Sequence, residues 1–176
     1  MARILFLLLL IITLSSCKNS AKNPIPLNQP KDFDPSVLRS DMSPIKKIRG
    51  QLLYLPVYSN MPYQIDTVKF DMSAFIAIHN TDLISQICLT KVLYFNQNGK
   101  LVDDFLKKGN ITIEPLATKD FYIPYEDQSG TGANFLVEWV ADTLVNEPLI
   151  ESVTLCLKPN NTMAVLSLGK IIREKR

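Results

Sequence analysis

The residues best suited to chemistry lie together in the stretch EDQSGTGAN, from Glu126 to Asn134, which combines acids, hydroxyls and two glycines. A glycine-rich loop holds phosphate when it opens a helix, because the first amides of the helix then point at the anion. The next segment, NFLVEWV, instead alternates in polarity as a strand does, and no lysine comes after the second glycine, so the pattern argues against a nucleotide site. Two interpretations stay open, a tight structural turn and a binding loop. The binding loop would be formed by Asp127, Ser129, Gly130, Gly132 and Asn134.

Few residues could serve acid–base catalysis. The chain has one histidine, His79, and its acids occur as neighbours, such as Asp103 with Asp104 and Glu126 with Asp127. Neighbours on a strand point to opposite faces, so the first pair does not act together. An envelope hydrolase that uses Glu126, Asp127 or His79 is the alternative function these residues allow, and no catalytic residue is assigned. We predict no metal and no cofactor, since His79 has no second histidine or ligand-spaced cysteine.

Three tyrosines, Tyr54, Tyr58 and Tyr63, form a second candidate surface beside a strand-like segment. Tyrosine offers apolar area and a hydroxyl group at low entropic cost, which suits recognition. This aromatic edge could receive an added strand from an envelope protein, or stack on a glycan. The alternative is that another part of the chain covers the rings.

The first residues, MARILFLLLLIITLSSC, have the pattern of an export signal. Arg3 precedes an apolar run from Ile4 to Ile12, which is shorter than the roughly 20 residues that a membrane-spanning helix needs. The run ends in LSSC, which resembles the lipobox of bacterial lipoproteins. The resemblance implies cleavage after residue 16 and acylation of Cys17 with chains such as palmitate. The alternative is an ordinary secretory signal with a chance cysteine.

Residues 17–44 differ in composition from the rest of the mature chain. They are polar, contain five prolines and lack an apolar period, so we predict a lipid-anchored flexible tether. Two or more acyl chains hold a protein stably on a bilayer. We therefore expect a cell-envelope protein whose lipid partner is reached through acylated Cys17. Lys18 comes next, which favours the outer over the inner membrane if the host has two.

Charge argues against nucleic acid as a partner. The formal net charge is +2 and charged residues make up 20% of the chain. Phosphate binding requires a concentrated basic patch. The one basic cluster, KIIREKR at the C-terminus, is interpreted as a solvated tail.

The two remaining cysteines, Cys88 and Cys156, fall in strand-like runs. Outside the cytoplasm they could pair. A single bridge is optional in a domain of this size, and a buried free cysteine behaves as a small hydrophobe. We therefore expect them to be unpaired.

The segment 45–176 has the pattern of an all-β domain. Apolar and polar residues alternate in LLYLPVY, TVKFDMSAFIAIHN and NFLVEWV, and turn signals such as NQNGK separate the runs. About seven short strands of this kind indicate an antiparallel, immunoglobulin-like β-sandwich. Pro56 cannot donate to a β-ladder, so its strand is expected at a sheet edge.

Several motifs together resemble one family. They are IRGQLLYLPVYS, AIHNTD, YFNQNGKLV, SGTGANFLVEW and NEPLIESV, which span most of the mature domain. The chain resembles an uncharacterised family of small predicted bacterial lipoproteins, a domain of unknown function (DUF3124). The resemblance implies no activity, ligand or catalytic residue.

Three functions remain as hypotheses. The favoured one is a membrane-anchored, non-enzymatic binding or structural module of the cell envelope. The second is an envelope hydrolase, for which Glu126, Asp127 and His79 would have to share a cleft. The third is an accessory of an outer-membrane complex, which would show an exposed apolar patch of more than a few hundred Å².

Overall fold

The chain folds into an all-β sandwich, and the computed structural model describes residues 29–38, 47–63, 65–158 and 161–175. A short 3-10 turn lies at Pro35–Leu38. The described residues form twelve strands: β1 (Arg49–Pro56), β2 (Asn60–Tyr63), β3 (Ile65–Asp71), β4 (Ser73–His79), β5 (Ile87–Phe95), β6 (Leu101–Asp104), β7 (Ile111–Ile113), β8 (Thr118–Ile123), β9 (Asn134–Ala141), β10 (Leu149–Lys158), β11 (Asn161–Leu168) and β12 (Lys170–Lys175).

Two antiparallel sheets pack against each other. Sheet A has the order β12-β1-β9-β5-β6, and β7 pairs with β5 beside β6. Sheet B has the order β11-β10-β4-β8. Strands β2 and β3 form a separate two-stranded ribbon. The strands of both sheets therefore present one face to a shared core and one face outward.

One hydrophobic core fills the space between the sheets. On β9 the alternating residues Phe135, Val137 and Trp139 are fully buried, as a period of two requires. Tyr94 on β5 stacks on Phe135 with ring centroids 4.7 Å apart. On sheet B, Ile76 contributes from the facing strand β4. Large aromatic side chains dominate the energetics of such a core because each buries so much area.

The predicted all-β sandwich is confirmed. Strands β4 and β8 pair in sheet B while β5 and β9 pair in sheet A, so the chain crosses between sheets after β4 and after β8. Immunoglobulin-like sandwiches connect their two sheets by crossings of this kind. The strands outnumber the predicted seven, partly because short strands such as β6 and β7 carry weak periodic signals.

One long alternating run is divided into two strands. The segment TVKFDMSAFIAIHN breaks at Met72, whose amide donates a hydrogen bond to the Ser59 carbonyl at 2.8 Å. Before the break, β3 pairs with β2 outside both sheets, and Val68 is exposed. After the break, β4 lies in the centre of sheet B. The period of two was therefore correct, but it did not reveal the change of partner.

The prediction that the Pro56 strand lies at a sheet edge is wrong. β1 lies between β12 and β9. The pairing of β1 with β12 ends at Tyr54, two residues before Pro56. Because no β12 residue lies opposite Pro56, the missing amide of the proline removes no hydrogen bond on that side of the strand. The Pro56 carbonyl accepts a hydrogen bond from Ser152 Oγ at 2.9 Å, which links the two sheets.

The described segment 29–38 pairs with the edge strand β6 and packs on the outward side of sheet A. Lys31 exchanges two backbone hydrogen bonds of 2.8 Å with Leu101. Phe33 meets Phe95 edge-on, with ring centroids 4.9 Å apart. This part of the predicted 17–44 tether is therefore bound to the sandwich.

The signal peptide, Cys17, Lys18 and most of the tether lie outside the described residues, and those features stay predictions. In the described ranges, no helix is both long enough and apolar enough to cross a bilayer.

The C-terminal basic cluster is not a solvated tail. Residues Lys170–Lys175 form β12 and pair with β1 from Gly50 to Tyr54. The charged side chains of this strand are exposed where the structure describes them, so the charge is accommodated at a sheet edge.

Cys88 and Cys156 are both buried and free, which confirms the expectation that they do not pair.

Gly50 provides a test of the central pairing of sheet A. A Cβ at Gly50 would lie 2.6 Å from the Trp139 carbonyl oxygen, a rigid backbone atom. We expect Gly50→Ala to lower the free energy of unfolding by about 2 kcal/mol, because the strands must separate to admit the methyl group. Urea unfolding measures this. Gly132→Ala is the matched control, since its Cβ would lie 3.7 Å from Gln97, an ordinary contact; equal losses in the two variants would contradict the close approach.

Candidate functional site

Asp127 lies in the loop between β8 and β9, and only 1% of the residue is exposed. Its Oδ2 accepts hydrogen bonds from Tyr94 Oη at 2.7 Å and from the Ser129 amide at 3.1 Å. Its Oδ1 accepts one from Ser129 Oγ at 2.9 Å. Both carboxylate oxygens are therefore bound to protein donors, as buried polar groups require.

The Tyr94 phenol is held in its neutral, donating form. Burial raises the pKa of Tyr94, and the negative charge of Asp127 raises it further. The hydroxyl consequently stays protonated at physiological pH and donates to Asp127. The pair joins a strand of sheet A to the loop that leaves sheet B.

Of the two glycines in this loop, Gly130 is the one that the backbone requires. Its φ of +99° is a region that other residues avoid, and a Cβ would lie 2.4 Å from Gln97 Oε1. Gly132 has room for a Cβ. Ser59 holds the loop from the ribbon side, its Oγ accepting from the Gly130 amide at 2.6 Å. Asn134 is the first residue of β9.

The predicted binding loop thus turns several of its polar groups inward. Thr131 Oγ1 also donates to Asn60 Oδ1, at 2.9 Å, on the ribbon. The side chains left exposed are Glu126 and Gln128. The acid, hydroxyls and glycines of the loop are therefore explained by the bonds that hold it across one end of the sandwich. A ligand at this loop would contact its exposed rim, the side chains of Glu126 and Gln128.

A small cavity of about 180 Å³ opens beside the loop. Its lining residues are Gln29, Pro30, Asn96, Val102, Asp127, Gln128 and Ser129. Sites for drug-sized ligands usually have about 300 Å³ or more. The contribution of Gln29 and Pro30 was missed by the sequence analysis, because no local pattern shows that this segment folds back onto the sandwich.

His79 lies at the opposite end of sheet B from Asp127. Its Nδ1 is 2.8 Å from Thr118 Oγ1, and its Nε2 is 3.6 Å from Glu151 Oε1. Thr118 begins β8 and Asp127 comes after the end of the same strand, which is about 17 Å long for a rise of about 3.3 Å per residue. His79 therefore does not share a cleft with Glu126 and Asp127.

The three tyrosines lie on three different elements. Tyr54 is on the outward face of β1, Tyr58 is in the following loop, and Tyr63 ends β2. Tyr63 packs on Phe70 across the ribbon, with ring centroids 4.4 Å apart. Since β1 lies inside sheet A, Tyr54 does not border an open edge that could accept another strand.

The motif AIHNTD builds a structural turn. Asp82 Oδ1 accepts hydrogen bonds from the amides of Ile84 and Ser85, and Oδ2 accepts one from the Asn146 amide. These donors lower the pKa of Asp82, the Asn146 amide most strongly. Asn80 donates to the Ser85 carbonyl at 2.8 Å. Asp82 thus ties the β4–β5 connection to the β9–β10 connection.

The outward face of sheet B carries an apolar row that runs across all four strands. Cross-strand pairing aligns Tyr122 with Phe75, Phe75 with Val153, and Val153 with Leu166. Tyr122 is 55% exposed and Leu166 is 61% exposed. Leu157 and Leu168 extend the exposed apolar area. The sequence analysis missed this row, because its members come from distant segments that only the pairing register aligns.

A profile of the family described as "Protein of unknown function (DUF3124)" matches residues 50–172, from the second residue of β1 into β12. The chain belongs to the DUF3124 family. The expected resemblance is therefore confirmed over nearly the whole sandwich. The DUF3124 chain is also similar to a solved structure, "Crystal Structure of Thermotoga maritima 1070", with 9% identity and a TM-score of 0.41, over 68% of this chain and 92% of that chain. No curated protein sequence matches it significantly.

The buried Tyr94–Asp127 bond is testable by removing one hydroxyl group. We expect Tyr94→Phe to lower the free energy of unfolding by about 2 kcal/mol, because the charged acceptor loses a donor that water does not replace. Denaturant unfolding measures the loss. Tyr122→Phe, at an exposed tyrosine, serves as the control and should change stability little. A Tyr94→Phe variant as stable as this control would count against the bond.

Asp82 should contribute a pH-dependent part of the stability. Its folded-state pKa lies below its unfolded value of about 3.9, so the contribution is complete above that value and is lost as pH falls through the folded pKa. The free energy of unfolding, measured at a series of pH values from neutral to acidic, should fall more steeply for the wild type than for Asp82→Asn. Parallel curves would refute this role.

Proposed function

We propose that this DUF3124 protein is a membrane-anchored lipoprotein that acts as a non-enzymatic binding or structural module of the cell envelope. The observation that carries the binding role is the exposed apolar row on the outward face of sheet B. Contiguous apolar surface of this kind marks interaction sites on soluble domains. This surface also fits an accessory that packs against a larger envelope complex.

The chemistry of the face favours a protein partner. Its apolar row is bordered by the carboxylates of Asp120 and Glu151 on neighbouring outward positions. The outward positions of sheet B in the described part of the chain include no lysine or arginine. A partner surface with aliphatic side chains flanked by basic residues would therefore complement it.

Site geometry gives the envelope hydrolase less support. Asp127 uses both carboxylate oxygens to hold Tyr94 and Ser129. His79 lies at the other end of β8. The groups that would have to cooperate within about 3 Å of a substrate are thus separated by the length of a strand.

The anchor we propose is acylated Cys17, on the strength of the lipobox-like LSSC sequence. Lys31 is bonded to Leu101, so 31 − 17 = 14 residue steps separate the anchor from the sandwich. At about 3.5 Å per step the reach is at most roughly 50 Å. The sandwich would therefore work close to the membrane surface, where the outer membrane is favoured by Lys18 if the host has two membranes.

In-cell photo-crosslinking with a reactive amino acid at Phe75 tests the binding role. We expect one dominant protein adduct, because Phe75 lies in the middle of the exposed row. Probes at Gln128 and Tyr58 examine the loop rim and the tyrosine region in parallel. Adducts at none of the three sites, in correctly anchored protein, would overturn the binding role, and a glycan adduct would overturn the choice of a protein partner.

Metabolic labelling with an alkyne palmitate tests the anchor in the same cells. The wild type should be labelled, and Cys17→Ser should lose both the label and its place in the membrane fraction. A Cys17→Ser variant that keeps the label would contradict acylation at Cys17, whatever the crosslinking shows.

A further inference from the structure

Strand β11 forms one edge of sheet B and contains no charged residue. Its sequence, NTMAVLSL, also lacks proline and glycine over eight residues. Its outward side chains include Leu166 and Leu168, which are 61% and 59% exposed. A long, apolar, uncharged edge strand presents unpaired backbone groups that readily accept another strand.

The other described edges of sheets A and B are protected in the usual ways. At the opposite edge of sheet B, β8 carries Lys119 and Asp120. In sheet A, the edge strand β12 has four charged residues among six, and β6 carries Asp103 and Asp104. β7 has three residues. Charge and short length are the features by which proteins prevent edge pairing, so β11 is the exception among these edges.

An uncharged, aliphatic strand fits this edge at Leu166, whose cross-strand neighbours Val153 and Phe75 are apolar. At Leu168 the cross-strand partner is Glu151, so an acidic residue of an added strand would be repelled there. Among the strands of the described residues, β11 itself combines the required length, absence of charge and open edge. Two copies of β11 can pair antiparallel about a two-fold axis, which is the self-complementary arrangement of closed dimers.

We propose that β11 is a dimerisation edge, at which two copies of this chain join their B sheets through antiparallel β11–β11 pairing. A register centred on Val165 places Ala164 of one copy opposite Leu166 of the other and keeps outward residues on one face. The result is a continuous eight-stranded sheet, from β8 of one copy to β8 of the other. The apolar rows of the two copies then lie on the same face.

Sedimentation of the full chain, solubilised from membranes in mild detergent, tests the proposal. We expect the wild type to be dimeric. Leu166→Lys should weaken the dimer about tenfold or more, because it introduces a charge at the pairing edge. Tyr122→Lys is the matched control: it lies in the same apolar row but on β8, and it should remain dimeric.

Each other outcome counts against the edge. A monomeric wild type overturns dimerisation, a Leu166→Lys variant with the dimer dissociation constant of the wild type excludes β11, and loss of the dimer in both variants indicates association through the whole face. If Leu166→Lys does not fold, as judged by circular dichroism, Ala164→Lys replaces it, since Ala164 is also exposed on β11.

Crosslinking adds a geometric readout. Two Leu166→Cys residues would be diagonal neighbours across the axis, about 7–8 Å apart with their Cβ atoms somewhat closer, within reach of a short bis-maleimide. Tyr122→Cys, at the far edge, should give only the background of the unsubstituted chain. Crosslinked dimers in equal yield from both positions would contradict β11 pairing.

Discussion

The hydrogen bond between the Tyr94 hydroxyl and Asp127 joins β5 of sheet A to the loop between β8 and β9, at one end of the sandwich. It is buried, its acceptor is charged, and its donor rests on Phe135 in the centre of the core. Because an unsatisfied buried carboxylate is costly, a loop conformation that supplies donors to Asp127 is strongly favoured. The positive φ of Gly130 and the bonds of Ser59 are consequences of that conformation. A loop whose composition suggests a ligand site is thereby explained as a structural joint.

The outward faces of the two sheets differ in how they are covered. On sheet A, segment 29–38 covers Phe95, and Glu138 is buried 3.2 Å from the ammonium group of Lys91. On sheet B, the outward row is apolar and exposed. Burial of an ion pair seldom adds net stability, so this pair on sheet A is weak evidence for a stabilising contribution. The exposed row on sheet B is the surface that the proposed binding role would use.

Face and edge of sheet B can act together in the proposed roles. Pairing of two β11 strands would bring two apolar rows into one plane without covering either of them. A dimer on a membrane would then offer its partner two neighbouring sites, which raises the effective affinity through proximity. The small number of residues between Cys17 and Lys31 would keep both copies near the same surface.

Three features could be predicted from the order of the amino acids alone: the all-β class, the inward faces of β1 and β9, and membership of the family through its motifs. Those features are local, since a strand reveals its buried face in a period of two. The folded structure was needed to show that Pro56 lies inside a sheet, that His79 and Asp127 stand apart, and that Tyr122, Phe75 and Leu166 form one row. These facts depend on the pairing register of distant strands, and a shift by one residue would turn every side chain to the other face.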